Sequence, residues 1–307
     1  MQTEPAPTAT LSPTPEPRNF RVIAYATDAA VPALIPFDML THINYAFLLP
    51  NDDGTFKPII NAWMVGELIR LGRENHVKVL VSVGGWGWDN QFETMAADPA
   101  RRNAFVQNLL TIVSQYQFDG VDIDWEYPDA GQSSQNFLAI IQELRSALPK
   151  GALLTAAVAA LGDNGDGIPA ESFKFMDFVN LMAYDNTGPS HSSFDFAQAS
   201  IDHWEERGLP AEKTVLGVPF YGRGTEARAT EISYARIVKA DPANAQVDSA
   251  SVNGVQVNYN GIPTMQAKTI LALKRASGIM FWTLENDATG DLSLLNAIHQ
   301  VVINNGK

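Results

Sequence analysis

The chain contains no cysteine, so disulfides, thiolate metal sites and cysteine nucleophiles are excluded together. It also lacks any apolar run of about eighteen residues, the length read as a membrane-spanning helix. Positive charge is scarce. Lys and Arg number 21 against 34 Asp and Glu, a net charge of −13, which argues against nucleic acid and anionic membranes as partners. No glycine-rich phosphate loop follows the first apolar run. That weakens the case for an open, doubly wound dinucleotide-binding sheet.

What is present is a large stock of core-forming residues. Of the 307 residues, 46% are hydrophobic, enough for one sizeable core or two modest ones. The first stretch differs in kind. "MQTEPAPTATLSPTPEP" carries five prolines and four threonines with hardly an apolar side chain. Such a segment cannot bury a core, so residues 1–19 are expected to form an extended tail or linker. Tails of this composition suit a tether between a surface anchor and a folded domain. The expected location is therefore extracellular or cell-surface, with Met1 standing where a signal segment has been removed.

From Phe20 onward short apolar runs alternate with longer amphipathic ones. Expected strands are 21–26, 42–48, 77–84, 118–125, 153–159, 177–184, 214–220 and 278–282. Expected helices are 62–75, 99–116, 133–148, 195–208, 264–276 and 292–302. Near-continuous apolar strands alternating with helices indicate a parallel sheet covered by helices. Eight such units suit a single closed (β/α)8 TIM barrel spanning residues 20–307. The open doubly wound sheet is the alternative.

One strand carries an anomaly. In "FDGVDIDWEYP" (118–128), Asp122, Asp124 and Glu126 occupy alternate positions, while Val121, Ile123 and Trp125 make the other face apolar. Alternate residues share a face, and successive acids stand about 6 to 7 Å apart along the strand. In a barrel they climb the interior toward the C-terminal mouth, where chemistry is built. Three buried carboxylates cannot all ionise cheaply, so at least one pKa must rise. That prepares a general acid at neutral pH. A divalent metal is the rival reading, but the strand holds the acids in a line rather than around a point, and no histidine lies nearby.

"DGVDIDWE" resembles the DGxDxDxE signature of family 18 glycoside hydrolases, the chitinase family. Further motifs follow in the family's order: "NYAF" (44–47), "SVGGW" (82–86), "MAYD" (182–185), "GVPFYGR" (217–223) and Trp282 in "IMFWTLEND". The resemblance covers roughly residues 20 to 303.

It implies a set of roles. Glu126 is the acid that protonates the glycosidic oxygen and then the base for water. No second carboxylate acts as nucleophile; the substrate's own N-acetyl oxygen does, with net retention. Asp124 orients the acetamido group, and Asp122 shares a proton with Asp124. Tyr184 and Asp185 hold the acetamido group and the distorted sugar. Ser82 contacts the inner acids. Trp282 is the floor of the subsite on the non-reducing side. Tyr25, Phe47, Gly85, Trp86, Met182, Tyr221 and Arg223 complete the expected substrate-binding set. For Trp88 and Tyr221 a place in the core is as good a reading as a sugar contact, and Arg223 either meets a substrate hydroxyl or pairs with an acid.

The family's insertion after the seventh strand is absent or rudimentary here. Gly224–Pro263 reads as one helix (233–240) and one hairpin turning at Asn253–Gly254. A shallow, open cleft favours internal cleavage. The expected partner is chitin or N-acetylglucosamine oligosaccharides, with no cofactor or metal implied and a monomer as the default. Rival readings are an endo-β-N-acetylglucosaminidase acting on N-glycans, a non-catalytic chitin-binding lectin of the same fold, and a cell-wall scaffold.

Overall fold

The eight apolar runs pair side by side and close on themselves. This computed structural model describes residues 20–188, 190–226 and 230–305; the Pro- and Thr-rich tail lies outside them. The first seven barrel strands are β1 (Arg21–Ala26), β2 (His42–Leu48), β3 (Lys78–Gly84), β4 (Gly120–Asp124), β5 (Leu153–Ala159), β6 (Phe178–Met182) and β7 (Thr214–Pro219). Four short strands follow outside the barrel: β8 (Tyr221–Gly224), β9 (Glu231–Ser233), β10 (Ser249–Val252) and β11 (Val255–Asn258). The eighth barrel strand is β12 (Gly278–Trp282). Neighbours are parallel throughout, in the closed order β1-β12-β7-β6-β5-β4-β3-β2, a (β/α)8 TIM barrel.

The helices are α1 (Ala62–Glu74), α2 (Asp89–Ala97), α3 (Pro99–Tyr116), α4 (Gln132–Ala147), α5 (Phe194–Glu206), α6 (Tyr234–Ala240), α7 (Ile262–Arg275) and α8 (Leu294–Asn305). Local chemistry sets their ends. The Asp98 carboxylate accepts from the backbone N–H of Ala100 and Arg101, and Pro99 opens α3 with its φ already suited to a helix. The β1–β2 and β5–β6 crossings are made by short 3-10 turns instead of α-helices. Periodicity gave no helix in either place. It also missed α2, whose nine residues bury only Phe92, Met95 and Ala96, too short a stripe to read as a period. None of the helices among the described residues is long and apolar enough to cross a membrane.

The packing explains the anomalous strand. Val121 and Ile123 point outward into the main core beneath the helices, both fully buried. Asp122 and Asp124 point inward, into the barrel. A smaller inner cluster, including Tyr25, Met182 and Met280, fills that interior. Each buried aliphatic contributes about 1.5–3 kcal/mol. The outer face thus anchors a strand whose inner face carries groups that are costly to bury.

The insertion is small but real. β10, β11, β8 and β9 form a four-stranded antiparallel sheet, with α6 attached. Its hairpin turns at Asn253 and Gly254, with φ of 52° and 82°, two successive left-handed residues as a two-residue turn demands. The "GVPFYGR" run does not stay in the barrel. It crosses at Phe220, so Tyr221 and Arg223 belong to the insertion's sheet.

Candidate active site

The inward carboxylates of β4 are held by neighbouring strands. Strand register sets Ser82 opposite Asp122, and Asp122 opposite Thr155. Asp122 accepts four hydrogen bonds. Tyr25 Oη (2.7 Å) and Ser82 Oγ (2.8 Å) donate to Oδ2; Thr155 Oγ1 (2.6 Å) and Asn180 Nδ2 (3.2 Å) donate to Oδ1. Burial pushes its pKa up, and these donors pull it back by favouring the charged form. With two bonds on each oxygen, every lone pair is engaged.

Asp124 stands one step nearer the mouth and differs sharply. Its side chain is buried, yet Oδ1 has no hydrogen-bond partner among the described residues. Burial, then the charges of Glu126 and Asp122, drive its pKa well above the usual carboxylate range. Asp124 thus resists ionisation more strongly than Asp122, whose four donors favour its charged form.

Glu126 lies just past the end of β4. Burial raises its pKa to about 7; the Asp185 charge adds to the rise and a bond from the Tyr127 hydroxyl opposes it. A carboxyl poised at this value is protonated enough to donate and ionisable enough to accept. The Glu126–Tyr127, Ala46–Phe47 and Trp282–Thr283 peptides are cis.

Asp185 follows β6 in a left-handed conformation, φ 59°. Arg223 grips it with two bonds, Nε to Oδ1 and Nη2 to Oδ2, both 2.7 Å. Burial works to raise the Asp185 pKa, but the Arg223 guanidinium and the His191 contact carry it well below the usual carboxylate range. His191 Nδ1 lies 3.5 Å from Asp185 Oδ1, and its ring sits 5.1 Å from that of Tyr221. Tyr184 meets Tyr221 edge-on at 6.2 Å. Beside them a recess of about 610 Å³ opens between the insertion and the β6–α5 loop, lined in part by His191, Arg223 and Asn258.

Aromatic rings line the mouth. Trp282 is stacked against Phe47 at 5.5 Å and tilted against Tyr25 at 5.7 Å. Met182 packs in the same inner cluster. Trp86 is 79% exposed, its ring set against Tyr127, so its face is open to a ligand. Two glycines make the β3 end possible. A Cβ on Gly84 would lie 2.4 Å from Asp124 O, and one on Gly85 would lie 2.6 Å from the Phe47 ring. Both have positive φ, and the Gly85 N–H donates to Asp124 O at 2.8 Å.

Every expected site residue thus gathers at the C-terminal mouth or directly beneath it, with some refinements. Tyr25 and Ser82 spend their hydroxyls on Asp122 and lie under the floor. Tyr221 is buried against Tyr184 and His191. Arg223 is an ion-pair partner, of Asp185 and of Glu231 at 3.1 Å. Trp125 is no part of the cleft: it faces the helices, stacked on Phe92 at 5.1 Å with Nε1 donating to Asp89. Trp88 is half-buried beneath the Lys57 ammonium, 4.1 Å from the ring centre. The sequence reading passed over Thr155, Asn180, Tyr127 and His191. For Thr155 and Asn180 a signal exists: each is the lone polar residue in an otherwise apolar strand. Among the described residues no three His, Asp or Glu side chains are arranged to hold a metal ion.

The family model for glycosyl hydrolases family 18 matches residues 21–287. Chitinase 1 of Aphanocladium album is 32% identical over 240 residues, 62% of this chain and 57% of that protein. The chain spans between 29% and 57% of the length of the first three curated relatives it matches. Among solved structures, a family 18 chitinase from the chitin utilization locus of Flavobacterium johnsoniae superposes with a TM-score of 0.82 at 29% identity, covering 95% of both chains. A chitinase from Bacteroides thetaiotaomicron gives 0.85 at 27% identity, covering 94% of this chain and 97% of that one. On a model match across nearly the whole folded region and this concordant fold, the chain belongs to family 18 of the glycosyl hydrolases.

Proposed function

We propose that the chain is a chitinase that hydrolyses β-1,4 bonds between N-acetylglucosamine units with retention, using the substrate's own acetamido group. The observation that carries this is the division of labour on β4. A carboxyl with a pKa near 7 stands two residues beyond Asp124, whose buried Oδ1 has no partner among the described residues and can accept one.

In the first step Glu126 gives its proton to the glycosidic oxygen. The acetamido carbonyl oxygen attacks the anomeric carbon from the opposite face as the leaving sugar departs. Asp124 Oδ1 accepts from the acetamido N–H and aligns the group for attack. Tyr184 and Asp185 hold that group and the distorted ring. In the second step Glu126, now a carboxylate, takes a proton from water. The hydroxyl adds to the anomeric carbon and the acetamido group re-forms. One water is consumed per bond cleaved, and the anomeric configuration is kept. Trp282, bracketed by Phe47 and Tyr25, carries the apolar sugar face.

The small insertion leaves a shallow wall, which supports internal cleavage. The acidic surface neither attracts nor repels a neutral polymer. An extracellular or cell-surface location, with residues 1–19 as tether, rests on the composition of that segment alone, and the active unit is taken to be a monomer.

The test is a product analysis on an N-acetylglucosamine hexamer and, in parallel, on a high-mannose glycopeptide. Shorter N-acetylglucosamine oligomers are expected. Release of glycan with the hexamer untouched would instead favour an N-glycan endoglycosidase. Binding without cleavage of either would favour a lectin.

A further inference from the structure

Lys268 is a lysine with no exposure at all, near the middle of α7. Among the described residues its ammonium meets no carboxylate. Nζ donates to three neutral acceptors, each at 2.7 Å: the Ser192 backbone oxygen, Ser192 Oγ and Asn260 Oδ1. The acid whose charge it feels, Asp248, is bonded to the Gly261 N–H and to Thr264 Oγ1 instead. Burial pulls the amine down to about 7, with Asp248 acting in the other direction. His191 also feels this charge, which lowers its own pKa after burial does.

The three acceptors are arranged for an ammonium. Ser192 Oγ donates its own proton to the Ala183 oxygen at 2.6 Å, so only its lone pairs are left for Lys268. Asn260 Nδ2 donates to the Ser192 and Tyr259 oxygens, which fixes Oδ1 toward the lysine. Three N–H donors thus meet three acceptors, whereas a neutral amine would supply two.

An isolated buried charge is an expensive way to stabilise a fold, and well-packed apolar side chains commonly do as well. The location supplies a reason. Ala183 directly precedes Tyr184 and Asp185. The Asn186 N–H donates to the His191 oxygen at 3.0 Å, closing the turn that returns to Ser192. Ser192 is the point where this turn is fastened, and Asn260 ties the same point to the end of the insertion, whose Arg223 holds Asp185 from the other side.

We propose that Lys268 is a positioning residue for the Tyr184–Asp185 turn, acting through Ser192 and Asn260. The proposal rests on the reading of Tyr184 and Asp185 as substrate-holding groups. Lys268 touches no substrate. It sets the place of the two groups that do, by holding to α7 the Ser192 that fastens the end of their loop to Ala183.

The test is a mutant cycle on hexamer cleavage, with Lys268→Met, Tyr184→Phe and the double variant. Lys268→Met is expected to lower kcat by about tenfold or more with little change in KM, as loss of alignment does. In the Tyr184→Phe background the same change is expected to cost several-fold less, because one of the two groups it positions has already lost its function. An unchanged kcat in folded Lys268→Met, or the full loss repeated in the Tyr184→Phe background, would overturn the proposal and leave a packing role. Should Lys268→Met not fold, Ser192→Ala carries the same cycle with the same expectations. Amide hydrogen exchange over residues 184–188 and 190–192 gives a readout independent of turnover. Faster exchange in the variant is expected, and unchanged exchange overturns the clamp. If the wild type leaves the hexamer intact, the chitinase reading fails on its own, and exchange still decides the clamp.

Discussion

Arg223 on the insertion's first strand and Asp185, three residues past β6, are joined by two parallel 2.7 Å bonds, so the insertion holds a wall of the site. Asp185 in turn raises the pKa of Glu126. Its negative charge disfavours a second one nearby. Asp185→Asn removes that charge, so Glu126 should ionise at lower pH and its acid form should be depleted earlier. The alkaline limb of kcat against pH is expected to move acidward, with kcat down about tenfold or more from lost positioning. A limb that stays in place would separate Asp185 from the acid.

Glu126 also couples stability to pH. Its pKa in the folded protein, about 7, lies above the ordinary 4.5. Between those values the folded state binds more protons than the unfolded one, so stability is fully present below 4.5 and is lost as pH rises through 7. Glu126→Gln removes that loss. The variant should gain on the order of a few kcal/mol over wild type at pH 8 and nothing at pH 4. Urea unfolding at the two pH values measures this, and equal stability at both would place Glu126 in solvent.

Asp122 depends on its four donors. Thr155→Val keeps the shape and removes the shortest of them, leaving a buried carboxylate oxygen short of one bond. A loss of about 1–3 kcal/mol is expected in urea unfolding. Turnover should fall as well, because a less stabilised Asp122 competes with Asp124 for the shared proton. A stable, fully active Thr155→Val would mean that the remaining donors suffice.

Gly85→Ala tests the ring floor. A methyl group there must displace the Phe47 ring, which is stacked on Trp282, and must accept a φ of +88°. Weaker oligosaccharide binding is expected, by about tenfold or more, measured by calorimetry in a Glu126→Gln background that does not turn over. Unchanged affinity would remove Trp282 from the sugar platform.

The barrel was legible because buried parallel strands leave an unambiguous trace, and three in-line acids in such a strand have few explanations. The hidden parts depend on closure. Tyr25, Ser82, Thr155 and Asn180 sit on four different strands, and only a closed barrel with this register brings them to Asp122. Nothing local marks the crossing at Phe220 that sends Tyr221 and Arg223 into a second sheet. Trp125 is the opposite case, placed by local alternation alone. It neighbours the acid in sequence, and strand alternation turns it to the outer face. Lys268 looks like an ordinary surface residue of an amphipathic helix until the insertion folds over it.

The central claim is retention through the substrate's own acetamide with Glu126 as proton donor. Proton NMR in the first minutes of hexamer cleavage reads it directly, with Glu126→Gln run alongside. Fresh reducing ends in the β configuration are expected from the wild type and almost none from the variant. Fresh α ends, or undiminished cleavage by Glu126→Gln, would contradict it.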